Sequence, residues 1–114
     1  MLAVIFEFEP DAERRQDYLD FAAALGPELE TIDGFISIER FESLSQPGKL
    51  LSLSFWRDEA AITQWRNLEK HRAAQSAGRS GVMADYRLRV ASIIRDYGLR
   101  DRVEAPDDSH HFHR

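Results

Sequence analysis

Apolar residues alternate with a period of two in four stretches of this chain and recur near every 3.6 residues in two others. Residues 2–9 read as a first strand, with Val4, Phe6 and Phe8 on one face and Ala3 and Ile5 on the other. Glu7 and Glu9 turn the second face polar, and Pro10 closes the strand. Asp11 is suited to cap a helix whose first turn holds Glu13, where a carboxylate favours the positive end of the dipole. Tyr18, Phe21, Ala22, Leu25, Leu29 and Ile32 continue that helical stripe. Gly26-Pro27 interrupts it, which predicts a main helix over 11–25 and a short turn over 27–31.

Asp33-Gly34 signals a turn into a second strand over 35–41, where Phe35, Ser37, Glu39 and Phe41 alternate with Ile36, Ile38 and Arg40. A hairpin loop over 43–48 leads to a third strand over 50–56, with Leu51, Leu53 and Phe55 opposite Leu50, Ser52, Ser54 and Trp56. Asp58 then caps a second helix, carried by Ala61, Ile62, Trp65 and Leu68 and ended by Gly78 and Gly81. The last strand is predicted over 86–97, with Gly98 ending it. Residues 99–114 are polar and aperiodic, as in an arm or a disordered tail, so the division is a domain over 1–98 and an arm over 99–114.

The order β-α-β-β-α-β predicts an α+β, ferredoxin-like sheet with both helices on one face. The other face should be polar if it meets water, yet the first and third strands carry apolar residues on both faces. Leaving such a face open would expose several hundred Å² of apolar surface, roughly the limit for monomers. A homodimer with sheet stacked on sheet is the expected cover; a ligand or the C-terminal arm over a monomer is the alternative.

Charge and cysteine content narrow the chemistry. A net charge of −5 argues against nucleic-acid binding, which needs a basic face, and against anionic membrane surfaces. No apolar run approaches the roughly 20 residues of a membrane span. The apolar N-terminus lacks a basic lead and meets Glu7 and Glu9 at once, so a cytoplasmic protein is expected. With no cysteine, thiolate nucleophiles, iron–sulfur clusters and cysteine-ligated metals are excluded.

Among candidate residues, His71 is the only histidine outside the tail, and imidazole suits proton transfer near neutrality. A solvent-facing helical histidine between Lys70 and Arg72 is the commoner role, and Ala74 and Gln75 at the next turn supply no second metal ligand. Trp65 lies on the apolar helical stripe, where an indole is more often core than platform. Arg40 and Tyr86 point from strands toward a cleft between sheet and helices. His110, His111 and His113 form an unshielded tail with no specific role expected.

The run Phe55-Trp56-Arg57-Asp58-Glu59, followed by Trp65 and His71, resembles the antibiotic biosynthesis monooxygenase (ABM) family over about residues 1–97. The resemblance implies a dimeric α+β barrel with a small-molecule pocket between sheet and helices in each protomer. In cofactor-independent members an aromatic substrate supplies the electrons for O₂, and Trp and Asn side chains are implicated. Trp65 matches that tryptophan, and Asn67 lies near it. The expectation is therefore a monooxygenase-like protein for an aromatic or quinol-like molecule, with His71 and Trp65 catalytic and Asn67, Arg40 and Tyr86 binding substrate. A non-enzymatic ligand-binding barrel is the rival reading.

Haem is disfavoured, and no cofactor or metal is expected. Haem-degrading members carry Asn on the first strand and their ligating His about ten residues after the tryptophan. Here Glu7 lies in that strand, Gln75 occupies the tenth position and His71 only the sixth. Those positions lie about 40° apart around a helix but differ in rise by about 6 Å.

Overall fold

The computed structural model describes the backbone of residues 1–75 and 83–110, and the side chains of residues 1–69 and 85–109. Strand β1 (Leu2–Pro10) leads through a short 3₁₀ turn, Ala12–Arg14, into helix α1 (Arg15–Leu29). Strands β2 (Phe35–Glu42) and β3 (Leu50–Trp56) form a hairpin, and helix α2 (Glu59–Gln75) precedes β4 (Met83–Ser92). A single helical turn, α3 (Asp107–His110), lies in the C-terminal arm. The sheet order is β2-β3-β1-β4, with every neighbouring pair antiparallel. This is the α+β, ferredoxin-like arrangement, and β3 has the range its alternation predicts.

Asp11 caps the 3₁₀ turn and Asp58 caps α2, whereas α1 itself starts after Arg14 with no side-chain cap. Asp11 Oδ1 accepts the Glu13 N–H at 3.1 Å, and Asp58 Oδ1 accepts the Ala61 N–H at 3.0 Å. That bond, with the Arg57 guanidinium 2.9 Å away, holds the Asp58 carboxyl below its ordinary value.

Elsewhere the boundaries differ from expectation. Helix α1 runs through Gly26-Pro27 to Leu29, because Leu25, Leu29 and the following Ile32 are all buried. Core burial there outweighs the hydrogen bond that proline cannot make. Strand β2 has an irregularity at Ile36: Phe35 pairs with Trp56 and Ser37 with Phe55. The extra residue puts Phe35 on the same side as Ile38 and Arg40, so strict alternation from Phe35 fails. Strand β4 begins at Met83 and ends at Ser92, earlier at both ends than its apolar pattern suggested. The predicted helix stop at Gly78 and Gly81 lies outside the described residues.

Register sorts the strands into two faces. The inner face, toward the helices, carries Leu2, Val4, Phe6 and Phe8 beside Leu50, Ser52, Ser54 and Trp56. Its core has two centres. One joins Phe8, Tyr18, Ala22 and Leu50, with Phe6 and Leu19 against them. The other joins Leu29, Ile32, Trp56 and Ala61, with Val4, Ile38, Trp65 and Leu68 among the side chains around it.

Gly34 makes the second centre possible. Its φ is +96°, and a Cβ there would meet Ala61 Cβ at 2.9 Å. Its carbonyl accepts the Arg57 N–H at 2.7 Å, fixing the end of β3 beside the α1–β2 turn.

On the outer face, Ala3 is buried while Ile5, Leu51, Leu53 and Phe55 are half-buried. Phe41 on the same face is 42 % exposed. Charge gathers toward one end, where Glu7 meets Lys49 at 3.5 Å and Arg89 at 3.6 Å. The arm after β4 is stapled locally. Arg102 donates to the Gly98 carbonyl and to Ser109, its guanidinium lies 5.2 Å from the Tyr97 ring centre, and Ala105 is buried.

Candidate functional site

Between the two core centres the inner face carries a row of different chemistry. Arg40 pairs with Ser52, Ser52 with Phe6, and Phe6 with Leu88, so the four side chains cross the sheet from β2 to β4. Ser52 is buried, whereas Arg40 reaches solvent. Beyond Phe6 the inner face of β4 opens: Tyr86, Leu88 and Val90 are 65 %, 52 % and 45 % exposed. Tyr86 stands edge-on to Phe6 with ring centres 5.7 Å apart, and Phe6 stacks on Phe8 at 4.9 Å. These residues make an apolar floor with a cationic end.

Tyr18 and Glu69 add ionisable groups from the helices. Burial pushes the Tyr18 phenol up, and the nearby Arg40 guanidinium partly offsets that. Glu69 lies one turn beyond Trp65 on α2. It keeps solvent access, yet the surrounding protein pushes its carboxyl up, and its charge acts on Tyr18.

The predicted residues are distributed unevenly around this floor. Trp65 is half-buried, packed against Trp56 with ring centres 6.4 Å apart. Arg40 and Tyr86 both lie on the inner face, at opposite edges of the sheet. Asn67 is exposed and lies about 200° around the helix from Trp65. The backbone of His71 continues α2, and its ring falls outside the described side chains.

Sequence reasoning passed over Tyr18 and Glu69. Tyr18 was absorbed into an apolar stripe, although its hydroxyl demanded a partner; Glu69, four residues after Trp65, interrupts the apolar face of α2. Two surface depressions lie among the described residues, one of about 300 Å³ at the β2–β3 hairpin and a smaller one at the edge of the floor beside Phe8 and Tyr86. Both are shallow and charged at the rim, unlike the apolar enclosures that hold small organic ligands. Among the described residues no cluster of His, Asp and Glu could hold a metal, and no helix is long and apolar enough to cross a membrane.

A ferredoxin-like sheet with an open apolar inner face defines a class of small α+β proteins, and sequence comparison places the chain within it. The profile of the family described as "Antibiotic biosynthesis monooxygenase" matches residues 1–77, and the chain belongs to that family. It is 52 % identical over 109 residues to "Jasmonate monooxygenase ABM" of Pyricularia oryzae, covering 94 % of this chain and 51 % of the relative. The chain thus spans about half the length of the curated relatives it matches.

Solved structures agree on the fold. Rv0793 from Mycobacterium tuberculosis superposes with a TM-score of 0.70 at 18 % identity, covering 85 % of this chain and 98 % of that one. The haem-degrader MhuD of the same organism, with two haems in its active site, gives 0.64 at 18 % identity, covering 86 % and 100 %.

Proposed function

We propose that the chain acts as an ABM-type monooxygenase on a small, largely apolar organic molecule, aromatic or quinol-like, held between sheet and helices. The observation that carries the reading is the inner face of β4, where Tyr86, Leu88 and Val90 are exposed and Tyr86 stands against Phe6. An apolar floor favours a flat hydrocarbon body and dissolves O₂ better than a polar cleft. The 52 % identical relative, named for jasmonate, supports a substrate of this size and polarity.

Chemistry without a cofactor requires that the substrate supply the electrons. A methylene between aromatic rings meets that demand, because R₂CH₂ and O₂ give R₂C=O and H₂O with atoms and electrons balanced. The protein's part is to orient the molecule, exclude water and accept the first proton. Trp65 would position the ring system, and Glu69 or His71 would take the proton. Arg40 and Tyr86 would line the bound molecule, whereas Asn67, on the far side of α2 from Trp65, would not.

Two copies would join through their outer faces, covering Ile5, Leu51, Leu53 and Phe55, in a cytoplasmic homodimer with the residues after 98 as an arm. Light scattering at micromolar concentration should return about twice the chain mass; a stable monomer would remove the dimer from the reading.

The experiment for the oxygenase is O₂ uptake with a panel of anthrones and quinols, with the oxidised product identified by mass. Uptake that needs the protein and falls in Trp65→Ala is expected. No uptake on any member would leave a ligand-binding barrel as the better account.

Haem ligation fits the residues poorly. Gln75 stands at the register of the histidine in haem-degrading members, and amide oxygen is a weak iron ligand beside imidazole. A sharp Soret band on haem titration, lost in His71→Ala, would reverse that ranking.

A further inference from the structure

We propose that Arg40, the inner-face cation beside Tyr18, is the anchor for a carboxylate, so that the substrate is a monoanionic acid with an apolar body. The inference rests on the oxygenase site proposed above and specifies what end of the molecule meets which end of the floor.

Arg40 stands out by position and by partner. Among the described strand residues it is the one cation on the inner face; Arg87 and Arg89 share register with outer-face residues Glu7 and Ile5. Three arginines near the helices have acidic partners: Arg14 meets Asp17, Arg15 meets Glu42, and Arg57 meets Asp33 and Asp58. Glu42, the inner-face carboxylate two residues along from Arg40, faces Arg15 at 3.9 Å and the Gly48 N–H at 3.4 Å. The partner described for Arg40 is the neutral hydroxyl of Tyr18. A neutral hydroxyl beside it does not neutralise the guanidinium, whose fork keeps its full charge for another acceptor.

Tyr18 cannot follow Arg40 into solvent. Its ring is packed 4.6 Å from Phe8 and buried with Ala22 and Leu50. It therefore sets a fixed polar group beside the guanidinium, which limits the rotamer freedom that a long cationic side chain loses on binding.

The row supplies the remaining dimension. From Arg40 across Ser52 and Phe6 to Leu88 there are three strand spacings, roughly 14 Å. One end is cationic and the other is an exposed apolar strip. A carboxylate at Arg40 with a hydrocarbon body reaching over Phe6 toward Leu88 satisfies both ends. A neutral quinol satisfies only one.

The test compares acids with their neutral counterparts on the full chain, by calorimetry and tryptophan quenching. Suitable pairs are jasmonate with its methyl ester and 1-naphthoate with 1-naphthamide. The wild type should bind each acid about tenfold or more tightly than its neutral counterpart. Arg40→Gln should abolish the preference by weakening the acid alone, and Arg40→Lys should keep part of it. Tyr18→Phe should lower the acid-to-ester ratio, whereas a merely structural tyrosine would weaken both ligands equally. If Arg40→Gln does not fold, the ratio in Arg40→Lys and Tyr18→Phe decides.

Equal binding of acid and ester, failure of every acid to bind, or an unchanged ratio in the variants would overturn the anchor. Acid-selective binding without O₂ uptake on any substrate would leave the anchor standing and remove the oxygenase. Uptake on neutral quinols with no acid preference would do the reverse.

Discussion

Strands β3 and β4 flank β1 on opposite sides, and their inner faces invert the usual relation between polarity and burial. On β3 the polar residues are buried, Ser52 at 7 % exposure and Ser54 at 5 %. On β4 the apolar residues are exposed: Tyr86, Leu88 and Val90 show about half their surface or more. Position explains the inversion. β3 lies inside the sheet beneath core residues of both helices, whereas β4 is an edge strand. A serine can be buried when its hydroxyl is used, as that of Ser54 is by the Trp56 indole N–H at 2.9 Å. Apolar side chains left uncovered in one strip mark where a molecule from outside can bind.

The comparison is broken most directly by truncating one residue on each side. Trp56 is fully buried and central to one core centre, so Trp56→Ala should cost roughly 3–5 kcal/mol of unfolding free energy. Leu88→Ala should cost less than about 1 kcal/mol, because its side chain is already half exposed. Urea titration of both variants checks this. Equal losses would mean that β4 is as closed as β3.

Gly34→Ala tests how tightly the closed side is built. The substitution forces a side chain into the left-handed region and toward Ala61. A loss of roughly 1–3 kcal/mol is expected, read as a lower urea midpoint. Gly48 shares a positive φ, but its Cβ would meet nothing within 4 Å, so Gly48→Ala should cost less.

The closed side was also the legible side. The range of β3, the Asp58 cap and the turn at Gly34 follow from short-range patterns that the core reinforces, whereas Asp11 caps a 3₁₀ turn and not the predicted helix. Pro27 misled because propensity is a local preference, while Leu25 and Leu29 are held by packing from outside the helix. The register shift at Ile36 left no trace, since Phe35, Ile36 and Ile38 suit either face. The site was legible only in part. Arg40 and Tyr86 could be placed on strands, but their shared inner face depends on that bulge and on the strand order. Nothing in the spacing of Tyr18 and Arg40, on different elements, announces that they meet.

On the open side the expected effect is functional. Leu88→Ser should leave the thermal midpoint nearly unchanged yet lower kcat/KM on an accepted substrate about tenfold, through lost contact with the substrate body. Unchanged kinetics at unchanged stability would move the floor away from β4.

The smallest effect belongs to Glu69, where the two sides meet. Its carboxyl is pushed up by burial, so the folded state holds its proton more firmly than the unfolded state does. The associated stability is fully present below the ordinary value of 4.5 and is lost as pH rises through the folded value. Asp58 runs the other way, since its lowered value gives stability above 3.8 that disappears as pH falls below it. Glu69→Gln removes only the first dependence. Urea midpoints of wild type and variant, measured from pH 4 to pH 8, should keep a constant offset near pH 4 and then diverge in the variant's favour. Parallel curves across that range would show that Glu69 ionises as freely in the fold as in the unfolded chain. It could then not serve as the proton acceptor at the edge of the floor by virtue of a raised basicity.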